Sequence, residues 1–463
     1  MIFLLLTIAV ALLLFYVIVF QLEISGALKF LLVVIEMTAV NQLLIKRYRL
    51  SSELGLVLLK SKKGIEIIDG LAMKEKAFNF MADVGTSISY GLLSVVLMRK
   101  NVSAASVLVG IVVLAVLSLF VAPVAFAFLL QIIGRESVST SVGELSTSPD
   151  YGFLFFSLML VAGGLFLFIL FGIVFYGITV FKALITTVFL GSDAMARTSP
   201  GGTLLLPGVN LPFIEGILAL AIVMVVHEGA HAVLSRIARV PILSSGIVLF
   251  GIIPIGAFVE PDEKKLMKVE DPKQTRVLVA GPTANLITAT VFFIAFMGFF
   301  YTTSELREGV LLIEPSDPNQ SAEQPPLPPG TLIFRIDGKY MELEDFQSGL
   351  GLPADTEIEI VTNKGTIQRM TDANGKLGIT FLYLSRETLF SVYREPLLQS
   401  IYVLLGLSVA LNFVVGAVNI LPIPLFDGYR IVDVNIKNKT VVKAISYSAL
   451  FFFILNFLPL LFR

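Results

Sequence analysis

The chain has 463 residues, 56% of them hydrophobic and 15% charged, with a net charge of −1 at pH 7. A soluble domain sits nearer ~45–50% apolar and ~25% charged, so this composition excludes an ordinary soluble enzyme. It indicates a polytopic α-helical membrane protein whose solvent is the lipid bilayer. The balanced charge leaves no electrostatic basis for nucleic-acid binding. The absence of cysteine removes disulfides, thiolate metal sites and cysteine nucleophiles, and only two histidines remain to be placed.

Residues 1–204 read as an N-terminal membrane region. Ile2 to Phe20 is an apolar run, a retained transmembrane helix with a cleaved signal peptide as the alternative. Residues 25–45 are apolar but carry Lys29 and Glu36, which suggests an interfacial helix. Residues 46–100 are rich in lysine and arginine and read as a cytoplasmic segment. Ser87 to Met98 is short and polar for a span. Val107 to Ile133 is long enough to cross a bilayer, as is Phe153 to Ile178. The second run continues to Leu190, either as one helix or as a helix plus a re-entrant piece, so the parity of this half stays open.

Residues 205–301 form a first membrane half, with spans at Phe213 to Leu234 and Val277 to Tyr301. Between them, residues 242–259 are interrupted by Gly246, Gly251, Pro254 and Gly256 and are rich in β-branched residues. That pattern favours strand. Non-helical backbone at membrane depth survives only when buried in protein or lining a cavity. A re-entrant hairpin is expected, with a surface loop as the alternative. Residues 397–463 form a second half, with spans at Leu398 to Leu421 and Ala444 to Leu461. The total is about seven spans. The basic loops 260–276 and 430–443 are assigned to the cytoplasm by the positive-inside rule, so residues 302–396 face the other side.

Residues 302–396 change character. Charges return, prolines gather at 325, 326, 328 and 329, and short runs end in tight turns at Asp337-Gly338 and Asn363-Lys364-Gly365. Met341 to Leu350 is expected to be a short helix. The order of elements resembles a PDZ domain, and GTLIFRIDGKYM (330–341) resembles its GDxIxxINGxxI stretch with Thr331 in place of the acidic residue. The resemblance implies an open sheet edge able to take an extended peptide ligand. A β-rich spacer without a ligand is the alternative.

The two histidines stand in His227-Glu228-Gly229-Ala230-His231, an HExxH sequence. The spacing i, i+4 places both imidazoles on one helix face, where they can share one metal ion. Imidazole suits Zn2+, and Glu228 can take a proton from a water activated by the metal. The preceding residues 218–226 are all apolar, so the motif lies in a membrane helix, where ionisable groups are costly and functional. Hydrolytic zinc wants a third protein ligand. Asp427, in Asn419-Ile-Leu-Pro-Ile-Pro-Leu-Phe-Asp427-Gly428, follows an apolar run broken by Pro422 and Pro424. An ordinary loop aspartate is the alternative, and Glu215 and Glu260 are the next candidates.

These motifs resemble the site-2 protease family of intramembrane zinc metalloproteases. They are HExxH in a membrane helix, a later N-x-x-P-x-x-x-x-D-G stretch, Gly281-Pro282-Thr-Ala-Asn285, and PGVNLP at 207–212. The last is similar to the eukaryotic and archaeal branch. The resemblance covers roughly residues 205–440, with Phe426 where leucine is usual and without that branch's cysteine-rich insert. It implies that His227, His231 and Asp427 bind zinc and that Glu228 is the general base. Asn419 and Asn285 would contact substrate, and the 242–259 loop would offer a strand edge to an unwound transmembrane protein substrate. It makes 205–301 and 397–463 the two catalytic halves of an integral, multi-pass protein, in the cell membrane if prokaryotic. The rival readings are a membrane-anchored zinc peptidase of misfolded or soluble proteins and a non-catalytic PDZ-bearing scaffold.

Overall fold

The computed structural model describes the chain except residues 1, 23, 25, 54, 55, 99, 100, 134–150, 204, 314–326, 328–330, 341–350, 364, 380 and 463. It divides into two units, one of Met1–Val291 with Leu407–Arg463 and one of Phe292–Gly406.

The first unit opens with α1 (Ile2–Tyr16), a π-helical turn (Val17–Gln21) and α2 (Gly26–Tyr48). Strands β1 (Ser51–Glu53) and β2 (Leu56–Lys60) precede α3 (Lys62–Ala72), α4 (Glu75–Tyr90) and α5 (Leu93–Leu97). Then come α6 (Ala104–Ile133), α7 (Tyr151–Leu190), α8 (Ala194–Arg197) and α9 (Phe213–Ile237). A hairpin of β3 (Ile242–Phe250) and β4 (Ile253–Pro261) leads through α10 (Glu263–Leu266) to α11 (Asp271–Thr302). The chain returns by α12 (Pro396–Val418), α13 (Asp427–Asn435) and α14 (Lys439–Leu455).

Among the described residues, seven helices are long and apolar enough to cross a membrane. They are Leu28–Tyr48, Ala104–Pro123, Tyr151–Leu190, Phe213–Ile237, Asp271–Thr302, Pro396–Val418 and Lys439–Phe462. The membership differs from the expectation at the N-terminus. Phe3–Val19 is the shorter apolar helix there, while residues 25–45, expected to be interfacial, belong to a span-length helix. Lys29 donates to the Val19 carbonyl at 2.9 Å, whereas both Glu36 carboxylate oxygens are buried with no hydrogen-bond partner among the described residues. Apolar residues such as Leu108, Phe120 and Phe189 stay exposed along α6 and α7, as a lipid-facing surface requires.

The long run from Tyr151 to Leu190 is two helical segments meeting at Gly164, whose φ of 63° and ψ of −162° break the helix. Gly91 ends α4 with φ 56°, and the two glycine backbones pack directly on each other. Leu92 N donates to the Val161 carbonyl at 3.0 Å across this crossing. A side chain at either position would fill the space the other backbone occupies. Small residues elsewhere on α4 bring further helices close, with Gly110 of α6 against Ser87 and Gly85 against Thr283 of α11. The principal core lies where these helices meet, with Tyr90, Ala232, Val233, Val277 and Ile431 buried together.

The segment 242–259 folds as the expected hairpin, paired antiparallel from Ile242–Pro261 to Phe250–Ile253. Among the described residues only its β4 edge is open, because β2 pairs along β3 from Val57–Leu249 to Lys60–Gly246. The sheet order is β1-β2-β3-β4. Residues 51–53 and 56–60, within the segment read from sequence as basic and cytoplasmic, are strands of the same sheet. Alternating Leu-Val-Leu-Leu is too short a run to announce its partner.

The second unit holds β5 (Arg307–Glu308), β6 (Val310–Ile313), β7 (Leu332–Ile336), β8 (Lys339–Tyr340), β9 (Glu357–Thr362), β10 (Gly365–Met370), β11 (Phe381–Leu384) and β12 (Val392–Tyr393). Its main sheet runs β10-β9-β7-β6-β11, with β8 on β7. Leu311, Ile333, Ile336, Ile358 and Ile360 form its core. Asp337 and Gly338, at φ 51° and 72°, make the two-residue turn expected between β7 and β8. The helix expected at Met341 to Leu350 lies outside the described residues.

Candidate metal centre

Helix α9 begins after Pro212 with Glu215 in its first turn and runs unbroken to Ile237. Its apolar residues outweigh their β-branched content because the helix satisfies its own backbone. His227 is buried and Glu228 and His231 are half-buried. The two Nε2 atoms lie 3.2 Å apart.

Asp427 reaches this pair from the other end of the chain. Its Oδ2 is 3.1 Å from His227 Nε2 and 3.2 Å from His231 Nε2. Two nitrogens and an oxygen bound to one tetrahedral zinc at ~2.0–2.1 Å would lie about 3.3 Å from one another, so the triangle has the size of a shared ion. Burial opposes the charge on Asp427, but His231 and His227 overcome it and hold the carboxyl below the usual carboxylate range. Of the other candidates, Glu215 is twelve residues before His227, about 18 Å along the axis. Glu260 accepts from Ser244 Oγ at 2.6 Å.

The turn from Asn419 to Gly428 aims Asp427. Gly428 N donates to the Asn419 carbonyl at 2.7 Å, closing the loop that the two prolines begin. A Cβ at Gly428 would collide with the backbone of Ile420 and Leu421, which is why glycine follows the aspartate. Leu425 is fully exposed with φ 86°, a strained backbone for a branched side chain. Asn419 is half-buried at the start of this turn.

Contacts behind the imidazoles set their orientation. His231 Nδ1 donates to the Val277 carbonyl of α11 at 2.7 Å, leaving Nε2 free to ligate. Asn285, fully buried, places its amide nitrogen 3.0 Å from His227 Nδ1. With Nε2 on a metal, Nδ1 would carry the ring proton, and a half-turn of the amide would bring the Asn285 oxygen, buried without a hydrogen-bond partner, into place to accept it. The structure thus puts Asn285 beside the His227 ring. A Cβ at Gly281 would lie 2.6 Å from His227 Nε2 and would also collide with His231 Nε2. The Gly281-Pro-x-x-Asn285 stretch therefore supplies a cradle and a hydrogen-bond partner for the two rings.

Some neighbours were not visible in the sequence. Tyr90 of α4 is 1% exposed and donates to the Ile420 carbonyl at 3.3 Å. Burial, reinforced by the Asp427 charge, raises its hydroxyl above the usual phenol range, so it remains a donor. Arg276, beside Val277, is clamped by Asp83 of α4 at 2.7 and 3.0 Å. No spacing rule links α4 to the HExxH helix. The only local sign is a lone aspartate in a helix of small residues.

Fold and site together define a helical membrane protein with a two-histidine, one-carboxylate centre of the kind metallopeptidases use. The family model described as Peptidase family M50 matches residues 215–458, and the protein belongs to that family, the site-2 protease family. It is also similar to Uncharacterized protein MJ0971 of Methanocaldococcus jannaschii, at 30% identity over 253 residues, 53% of this chain and 63% of that relative. The matched region therefore spans somewhat less than two thirds of the relative's length.

Proposed function

We propose that this protein is a zinc-dependent endopeptidase, integral to the membrane, that cuts transmembrane protein substrates within or near their membrane segments. The observation that carries this reading is the triangle of His227 Nε2, His231 Nε2 and Asp427 Oδ2, every side between 3.1 and 3.2 Å, with the two histidines on a helix whose preceding residues 218–226 are all apolar.

His227, His231 and Asp427 would hold the ion, and Gly281 leaves the space they need. A zinc ion held there would supply a Lewis acid that makes water nucleophilic near neutral pH. Glu228, next to His227, accepts the proton of the attacking water and passes it to the leaving amine. Asn419 donates to the scissile carbonyl or pins the substrate backbone beside it.

A substrate helix has to unwind first, because its scissile carbonyl is engaged in i→i−4 bonds. Strand β4 offers the backbone partners for the unwound segment. Its neighbour on one side is β3, its other edge carries no strand among the described residues, and Gly256 in it packs on Met224, one turn before His227. The β-rich insert acts as a PDZ-like filter on substrate ectodomains.

The test is zinc content of the purified protein together with cleavage of two substrates, a transmembrane segment in vesicles and an unfolded soluble protein. Stoichiometric zinc with cleavage confined to the transmembrane substrate supports the reading. Preferential cleavage of the soluble chain would replace it with a membrane-anchored peptidase, and zinc binding without cleavage of either would favour a scaffold.

A further inference from the structure

Helix α4 lies outside residues 215–458, the stretch the family model matches, yet three of its residues touch the machinery from one side. Asp83 grips Arg276 through two hydrogen bonds, with the two side chains 7% and 18% exposed. The next residue, Val277, is the one whose carbonyl receives the His231 Nδ1 proton. Gly85 lies hard against Thr283, inside the stretch that holds Gly281 and Asn285. Tyr90, two turns from Asp83, donates to the Ile420 carbonyl. The Ile420 carbonyl also lies against Gly428, where a Cβ would collide with it, so the contacts run Tyr90, Ile420, Gly428, Asp427. The far end of α4 is locked by the Gly91–Gly164 crossing and by Phe166, 5.2 Å from the Tyr90 ring.

The geometry points to α4 as a brace joining the two halves of the centre, in which Tyr90 is a positioning residue for Asp427. This rests on the reading that His227, His231 and Asp427 share a metal. One rigid helix fixes the backbone behind His231 through Asp83 and Arg276, and fixes the turn carrying Asp427 through Tyr90. Two ligands on α9 and a third about two hundred residues later are then held in one frame. A buried phenol suits this task, because it occupies volume and supplies one donor to a carbonyl that is otherwise cut off from water.

The test uses the full-length protein in detergent or vesicles, with Tyr90→Phe, which removes one oxygen and little volume. Zinc affinity is measured by competition with a chromophoric chelator. The expected result is a rise in the zinc dissociation constant of about 10-fold, within the range seen when a partner of a ligand is lost. The same substitution in an Asp427→Asn background should add no further loss. Hydrogen exchange supplies a readout that general destabilisation would not reproduce. Uptake should rise in 419–428 and stay unchanged in 213–226. Should Tyr90→Phe fail to fold, Asp83→Asn takes its place, with exchange rising around 276–285 and the dissociation constant rising likewise. Wild-type zinc affinity in the variant that folds, with the wild type holding one zinc, overturns the brace and leaves the metal centre standing. A wild-type protein that holds no zinc overturns both.

Discussion

The Asp427 carboxylate lies 3.1 Å from the His227 imidazole across two hundred residues of chain. Each is drawn from water by the apolar helices around it, and each supplies a partner for the other. This contact makes a site from two motifs that are separately ambiguous.

Asp427→Asn keeps the shape of the side chain and removes its charge. The zinc dissociation constant should rise by more than the ~10–100-fold that loss of a supporting contact costs, and cleavage should stop. Circular dichroism and gel filtration should show the fold retained. Full zinc occupancy in this variant would sink the assignment of Asp427 as a ligand.

Glu228→Gln should leave zinc in place and lower turnover by roughly 10²–10⁴-fold, the contribution of a positioned general base. An amide cannot take the proton from the attacking water. Zinc content and single-turnover cleavage, measured on the same preparation, check this. Near-normal turnover would assign the base elsewhere.

Gly281→Ala tests the cradle. The added methyl would fall 2.6 Å from His227 Nε2, well inside van der Waals contact, so one imidazole has to move. Zinc binding should be lost or severely weakened, with thermal stability close to that of the wild type because the strain is confined to the rings. Tight zinc binding by the alanine variant would show that α11 can shift away.

Leu425 has its backbone at φ 86° and its side chain fully exposed. Leu425→Gly should therefore leave thermal stability unchanged or slightly raised, since glycine adopts this conformation freely. Leu425→Val should lower stability by about 1–3 kcal/mol, because branching at Cβ worsens the strain. The two melting curves, taken in the same detergent, decide it. Equal destabilisation by both would mean that the leucine side chain, not its backbone, matters.

Much of the centre was legible because its signals are local. HExxH places two rings one helical turn apart whatever surrounds them. Helix breakers before Asp427 mark a turn without reference to the rest of the fold, and glycines in 242–259 exclude a helix there. The chain's composition by itself determined that the protein is built for a membrane. What tertiary structure alone decided are the contacts that no period encodes. These are β2 covering one edge of the hairpin, Gly91 meeting Gly164, Asn285 turned toward a histidine, and Tyr90 and Asp83 reaching the centre from α4. Each depends on where a helix or strand is placed by packing over the whole unit, and a side chain carries no record of its partner when that partner lies hundreds of residues away.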